Sequence, residues 1–201
     1  MAGFSLPEFQ AQVLGRGLAR TNRFDVQINI PPCLGGRDNR TISLLCEQAS
    51  LPLLNINTKS HRIYGPPLPR PITSEYGGEG LPLTFHVDRE MKVKRFFEDW
   101  MEKIINRDTF NVAYKSTYTT FLYISQLDEA DNVTYTIDVE DAFPRSMNLM
   151  ELNNAAQAQT HRLTVLFAYR KWRRIDAGTP AEAETTTQIS LNQQISEGFL
   201  T

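Results

Sequence analysis

Cysteine, histidine, long apolar runs and net charge are all in short supply in this sequence. Two cysteines (Cys33 and Cys46) and three histidines stand among 201 residues. Residues 1–8, Met-Ala-Gly-Phe-Ser-Leu-Pro-Glu, have no positive segment ahead of an apolar one, so no signal peptide is read. The cysteines are therefore expected as free thiols of a reducing cytoplasm, and the sequons at Asn39 and Asn132 as coincidence. No stretch approaches the roughly 18 consecutive apolar residues of a spanning helix. Net charge is only −2, and from Ile175 to Thr201 there are four acids and no Lys or Arg. That is not the strongly basic balance of a nucleic-acid-binding domain. Neither G-x-S-x-G, a Walker A loop nor a Rossmann glycine pattern occurs; Gly77-Gly78-Glu79-Gly80 lies among prolines instead of between a strand and a helix. Enzyme chemistry and cofactor binding have no sequence support, and none is expected.

What is present is patterning. With 41% hydrophobic and 22% charged residues the chain has the composition of a folded domain. From Arg23 to Ile30 apolar and polar residues alternate strictly, which predicts a strand with one dry face of Phe24, Val26, Ile28 and Ile30. A short helix is expected over about residues 7–14, a turn at 31–36, and a second strand over Thr41–Gln48 that stops at Leu51-Pro52. Residues 52–82 carry six prolines and four glycines, which excludes a long helix. An extended arm over about 53–80, with its partners on another subunit, is the reading they support. Leu81–Val87 reads as a strand. Asp88 follows as a helix cap, and the helix over 89–105 has Val93, Phe96, Phe97, Trp100, Met101 and Ile104 on one side. Strands are expected at Thr117–Leu127 and Val133–Val139, joined by the turn at 128–132. Phe143-Pro144 is expected to break the pairing, and Arg162–Trp172 to form the last strand. The acidic segment 175–201 reads as a tail.

Three constellations carry possible chemistry. His61, His86 and His161 fall in separate elements, so a zinc site is not expected from them. Asp138, Glu140 and Asp141 form an acidic cluster. Alternation with Ile137 and Val139 assigns Asp138 and Glu140 to a solvated strand face, in preference to a divalent-metal site. Tyr169-Arg170-Lys171-Trp172-Arg173-Arg174 interleaves aromatics and bases. It reads first as the end of the last strand, with bases reaching acids on a neighbouring subunit. Its alternative is a soluble nucleic-acid-binding module that stacks and pairs single strands.

The ordered set of these features resembles the tail tube proteins of contractile-tailed bacteriophages. The resemblance rests on Arg20, Asn22 and Phe24 opening the first strand, and on Cys46, Ala49, Leu51 and Pro52 closing the next. It continues through the arm, the helix with Phe97 and Trp100, the corner Ala142-Phe143-Pro144, and a last strand ending on Tyr169 and Trp172, covering about residues 18–172. It implies a mainly β (α+β) fold: an antiparallel β-sandwich or barrel-like domain over 1–174, with one flanking amphipathic helix. It also implies a structural virion protein that stacks as hexameric rings into the inner tube of a contractile tail, a conduit for DNA. The implied partners are further copies of itself, the sheath, and baseplate or terminator proteins, with assembly in the host cytoplasm. The related initiator ring at the baseplate is the other role the resemblance leaves open. A lumen that is neutral to acidic would follow, and Asp138 and Glu140, or Asp25 and Gln27, are its candidate linings.

Overall fold

A computed structural model of the chain describes residues 17–35, 40–62, 64–76, 78, 80–152 and 160–175, with isolated positions 6, 7, 10, 11 and 15 before them. The helix expected over 7–14 falls largely outside the described residues, as does the tail beyond Ile175. Nine strands, three α-helices and a single 3-10 turn (Pro32–Leu34) can be followed among the described residues, the α-helices being α1 (Arg40–Leu44), α2 (Lys92–Ile104) and α3 (Lys115–Tyr118).

The spine of the fold is one long antiparallel ribbon. Strand β7 (Val133–Met147) runs beside β8 (Arg162–Ala168) and β9 (Lys171–Ile175). Phe143 pairs with Ala168 and Glu140 with Lys171. These pairs are three residues apart on both sides, so β8 and β9 are one strand in one register, interrupted at Tyr169-Arg170. Strand β6 (Thr120–Leu127) pairs with the first part of β7, and β1 (Phe24–Ile28) pairs with β6. At the other end β5 (Leu81–His86) pairs with β8, and β2 (Cys46–Ala49) with β5. The ribbon therefore belongs to two half-sheets, β1-β6-β7-β9 and β2-β5-β8-β7, whose inner faces share one core. The expected mainly β, antiparallel architecture with a flanking helix is what the chain adopts.

Alternation explains which faces meet. In β5, Leu81, Leu83 and Phe85 are buried; in β8, Leu163, Val165 and Phe167 are; β1 gives Val26 and Ile28. Helix α2 lies across the β5–β8 face through Val93, Phe96, Phe97, Trp100 and Ile104, all buried and spaced for one side of a helix. Phe97 sits 5.2 Å from the Phe85 ring and 5.9 Å from that of Phe167, while Trp100 stacks on Phe97. The Trp100 Nε1–H donates to Tyr118 O at 2.9 Å, which satisfies the indole where it is buried.

Several boundaries differ from expectation. Helix α2 starts at Lys92, not 89, because a turn places Met91 in the left-handed region (φ 57). Asp88 still caps it: its Oδ1 accepts the N–H groups of Lys92 (2.7 Å) and Val93 (3.4 Å). The first half of the expected Thr41–Gln48 strand is helix α1, drawn in by tertiary contacts. Ile42 is buried, and the Ser43 hydroxyl accepts the Ile28 N–H at 3.2 Å. Thr117 belongs to α3, where its hydroxyl and N–H both bond back to Tyr114 O. Pro144 does not break β7. It pairs with Phe167, and β6 has already ended opposite Ala142, so no ladder donor is missing on that side. The last strand runs on to Ile175 instead of ending at Trp172.

Gly80 carries a testable constraint. Its φ is +102, and a Cβ there would stand 2.7 Å from Phe167 O. Gly80→Ala is expected to lower stability by about 1–3 kcal/mol through backbone strain and overlap at the start of β5. Denaturant unfolding measures it, and an unchanged midpoint would mean that the β5–β8 junction gives way freely.

Candidate assembly surfaces

Strands β3 (Leu54–His61) and β4 (Leu68–Tyr76) form a hairpin of their own, paired from Leu54↔Tyr76 out to His61↔Leu68. Every residue of the two strands is exposed except the half-buried Asn57. Asn57 Nδ2 donates to the Glu75 carboxylate and to Thr73 Oγ1, which ties the strands together on one face. Leu54, Ile56, Leu68 and Ile72 stand 45–65% exposed. At the root, Trp172 Nε1 donates to Leu53 O at 3.4 Å. Pro69 and Pro71 pair with Ser60 and Thr58. Because the ladder continues past both, their nitrogens, which carry no hydrogen, face the outer rim of β4. A two-stranded hairpin is marginal alone in water, and apolar residues spread along one that projects from its domain make an interaction surface.

A second surface is a charge ladder between β7 and β9. Glu140 takes the Arg170 guanidinium at 2.6 Å, Arg173 Nε at 2.9 Å and Lys171 Nζ at 3.3 Å. Asp141 takes Arg170 Nε at 2.9 Å and Lys115 Nζ at 2.7 Å. Asp138 lies 3.6 Å from Arg173, and its Oδ1 is buried with no hydrogen-bond partner. Asp138 and Glu140 are each only 5% exposed, so the expected open, solvated acidic face is corrected. Alternation did place them on the polar side of β7, but long basic side chains from β9 close over them. Burial pushes the Asp138 carboxyl above its usual range, and Arg173 pulls against that shift. The same registers align Gln27, Tyr123, Asp138 and Arg173 in one row across four strands.

Arg170, Lys171 and Arg173 of the basic segment therefore find acids within their own chain, where the sequence reading had them reach a neighbour's. Nor do its aromatics form a stacking platform. Tyr169 has its hydroxyl buried and Trp172 packs against the core. Arg174 shares the face of Trp172, opposite Lys171 and Arg173. Among the histidines, His61 lies on the arm, while His86 Nε2 stands 3.7 Å from a Glu47 oxygen that Arg162 also holds at 2.7 Å. Both cysteines are free, and burial pushes the Cys46 thiol up to about 12.

Sequence reading missed one feature. Between α2 and α3 the loop 105–114 is closed by an Ile105↔Val112 bridge and by Asn106 Oδ1, which accepts the N–H groups of Asp108 and Thr109 at 2.9 Å each. It holds Phe110 (φ 56) 78% exposed and Tyr114 85% exposed. The signal was an apolar run without helical or strand period, next to a turn-forming Asn-Arg-Asp.

The family model for the phage tail tube protein matches residues 19–175. Among solved structures the chain is similar to one in the anti-feeding prophage baseplate, with a TM-score of 0.58 and 17% identity over 81% of this chain and 98% of that one. It is similar to one in the sheath–tube complex of the extracellular contractile injection system PVC, with a TM-score of 0.58 and 16% identity over 87% and 100%. The tube-terminating cap of the anti-feeding prophage gives 0.58 and 17% over 81% and 93%. At such identities the likeness is one of fold. No curated protein matches the sequence significantly.

Proposed function

Because the chain belongs to the phage tail tube protein family, and so plays a structural part in a tail, we propose that it is the repeating subunit of the inner tube. Six copies close into a ring, rings stack, and the channel conducts DNA. Outside the tube it meets the sheath, and at the ends baseplate and terminator proteins, as an assembled virion component built in the host cytoplasm. The observation that carries this reading is the β3–β4 arm, a regular hairpin with apolar residues exposed along its length. Such a surface gains stability only when another chain covers it. Sheet edges support the same conclusion. Among the described residues, strand β1 pairs only with β6 and β2 only with β5, and edges of that kind are closed when subunits join head-to-tail into a barrel. The six-fold-symmetrised baseplate of the similar anti-feeding prophage protein is consistent with six copies.

The test is electron microscopy of the purified full chain at rising concentration. Rings whose averages show six-fold symmetry, and tubes made of them, are expected. A particle that stays monomeric at every concentration and salt would overturn the proposal.

A further inference from the structure

The arm differs between its two faces in charge as well as in polarity. Across the ladder Lys59 stands directly opposite Arg70, and both are exposed. Like charges directly opposed work against a two-stranded ribbon. Arg62 adds a third cation just past β3, its Nε donating to Gly65 O at 3.1 Å. Between Leu54 and Tyr76 the one acid is Glu75, which lies at the root end and accepts from Asn57. Among the described residues no carboxylate pairs with Lys59 or Arg70. Alternation puts Leu54 and Ile56 on the opposite face from Lys59, so a group covering the cations leaves those apolar side chains open to a second copy.

We propose that this cationic face is the docking surface for the acidic segment 176–201 of the same chain, with Glu182 and Glu184 as the contacts. That segment lies outside the described residues, and three features of the chain select it. From Asp176 to Thr201 there are four acids and no Lys or Arg, the complement of the arm's balance. It also begins beside the arm. Strand β9 ends at Ile175, three residues after Trp172, whose Nε1 reaches Leu53 O at the arm's root. Finally, its length suffices. Lys59 lies about 17 Å beyond Leu54 along β3, and Ile175 is within about 10 Å of the root contact. Glu182 and Glu184 follow Ile175 by seven and nine residues, a reach of at most about 23–32 Å. Their two-residue spacing lets an extended chain present both carboxylates to one side, against two opposed bases. The contact belongs to the single subunit and goes beyond the tube reading without depending on it.

The experiment is carbodiimide coupling of the dilute full chain, read by mass spectrometry. An amine and a carboxyl in contact join directly as an amide, and the carbodiimide takes up the water released. Lys115 and Asp141, 2.7 Å apart, provide the internal standard. Lys59 is expected to couple to Glu182 or Glu184 several-fold more than to Asp176 or Glu197. That preference should vanish at about 1 M salt, where the screening length is about 3 Å. In a mixture of isotope-labelled and unlabelled protein the links should stay within one chain. Lys59→Glu with Arg70→Glu should remove the link between tail and arm. Adding Glu182→Lys and Glu184→Lys should restore it with amine and carboxyl exchanged. Links that join different copies only, or that spread evenly over the four acids, overturn the proposal. So does a Lys59 that stays uncoupled, or couples to an acid outside 176–201, while Lys115 and Asp141 join. Every reading is taken on the subunit, so failure here leaves the tube reading standing. A chain that links as expected and never forms rings would do the reverse.

Discussion

Chains lacking residues 55–75 are expected to stay soluble and folded and to form no tubes. The hairpin they lose makes its regular hydrogen bonds internally and contributes none of the core residues. Removing it leaves both half-sheets and α2 intact, so the thermal midpoint should move by no more than a few degrees. Assembly loses the apolar surface of Leu54, Ile56, Leu68 and Ile72 as an anchor. If that surface is covered in the tube, each such side chain is worth about 1.5–3 kcal/mol on burial, multiplied over every subunit of a ring. Size-exclusion chromatography and microscopy of the deletion variant read the outcome directly. Normal tubes from the truncated chain would show that the arm has no part in polymerisation.

Trp100→Ala should be the most damaging single change in the domain. The side chain is completely buried, packs against Phe96, Phe97 and Phe167, and donates to Tyr118 O, linking α2 to the segment that leads into β6. Truncation leaves a cavity and an unpaired carbonyl, at a cost of roughly 3–5 kcal/mol. For a domain of ordinary stability, about 5–15 kcal/mol in all, that removes a large share. Denaturant unfolding should show the midpoint collapse with little change in slope. Trp100→Phe keeps most of the ring packing and should cost clearly less. A Trp100→Ala subunit with unchanged melting and lost assembly would instead place this stripe on an intersubunit surface.

Much of the fold was legible because its signals are local. Two-residue alternation marked β1, β5 and β8, and the spacing of Val93, Phe96, Phe97, Trp100 and Ile104 marked α2. Where the reading failed, a distant partner decided. Helix α1 forms in a β-like stretch because Ile42 and Ser43 meet the rest of the domain, the Ser43 hydroxyl closing on Ile28. Pro144 is tolerated in β7 because β6 has ended beside it. The charge ladder was half legible. Alternation gave the correct side for Asp138 and Glu140, but only the β7–β9 register shows that bases close to them in space cover that side. The arm was visible as composition, and its pairing was not, because its prolines resemble breakers until their nitrogens are known to face outward.

Those outward-facing prolines also determine how the arm behaves before it finds a partner. With Pro69 and Pro71 at alternate positions, the outer half of the β4 rim lacks two donors that an incoming strand would use, and the rim of β3 is the better template. Two stray arms zipped together along their β3 rims leave only proline-interrupted rims for further growth. Open-ended cross-β stacking requires two working rims on every hairpin. Arm-to-arm contact between unassembled subunits is thereby biased toward pairs, which favours a pool that remains available for ordered growth.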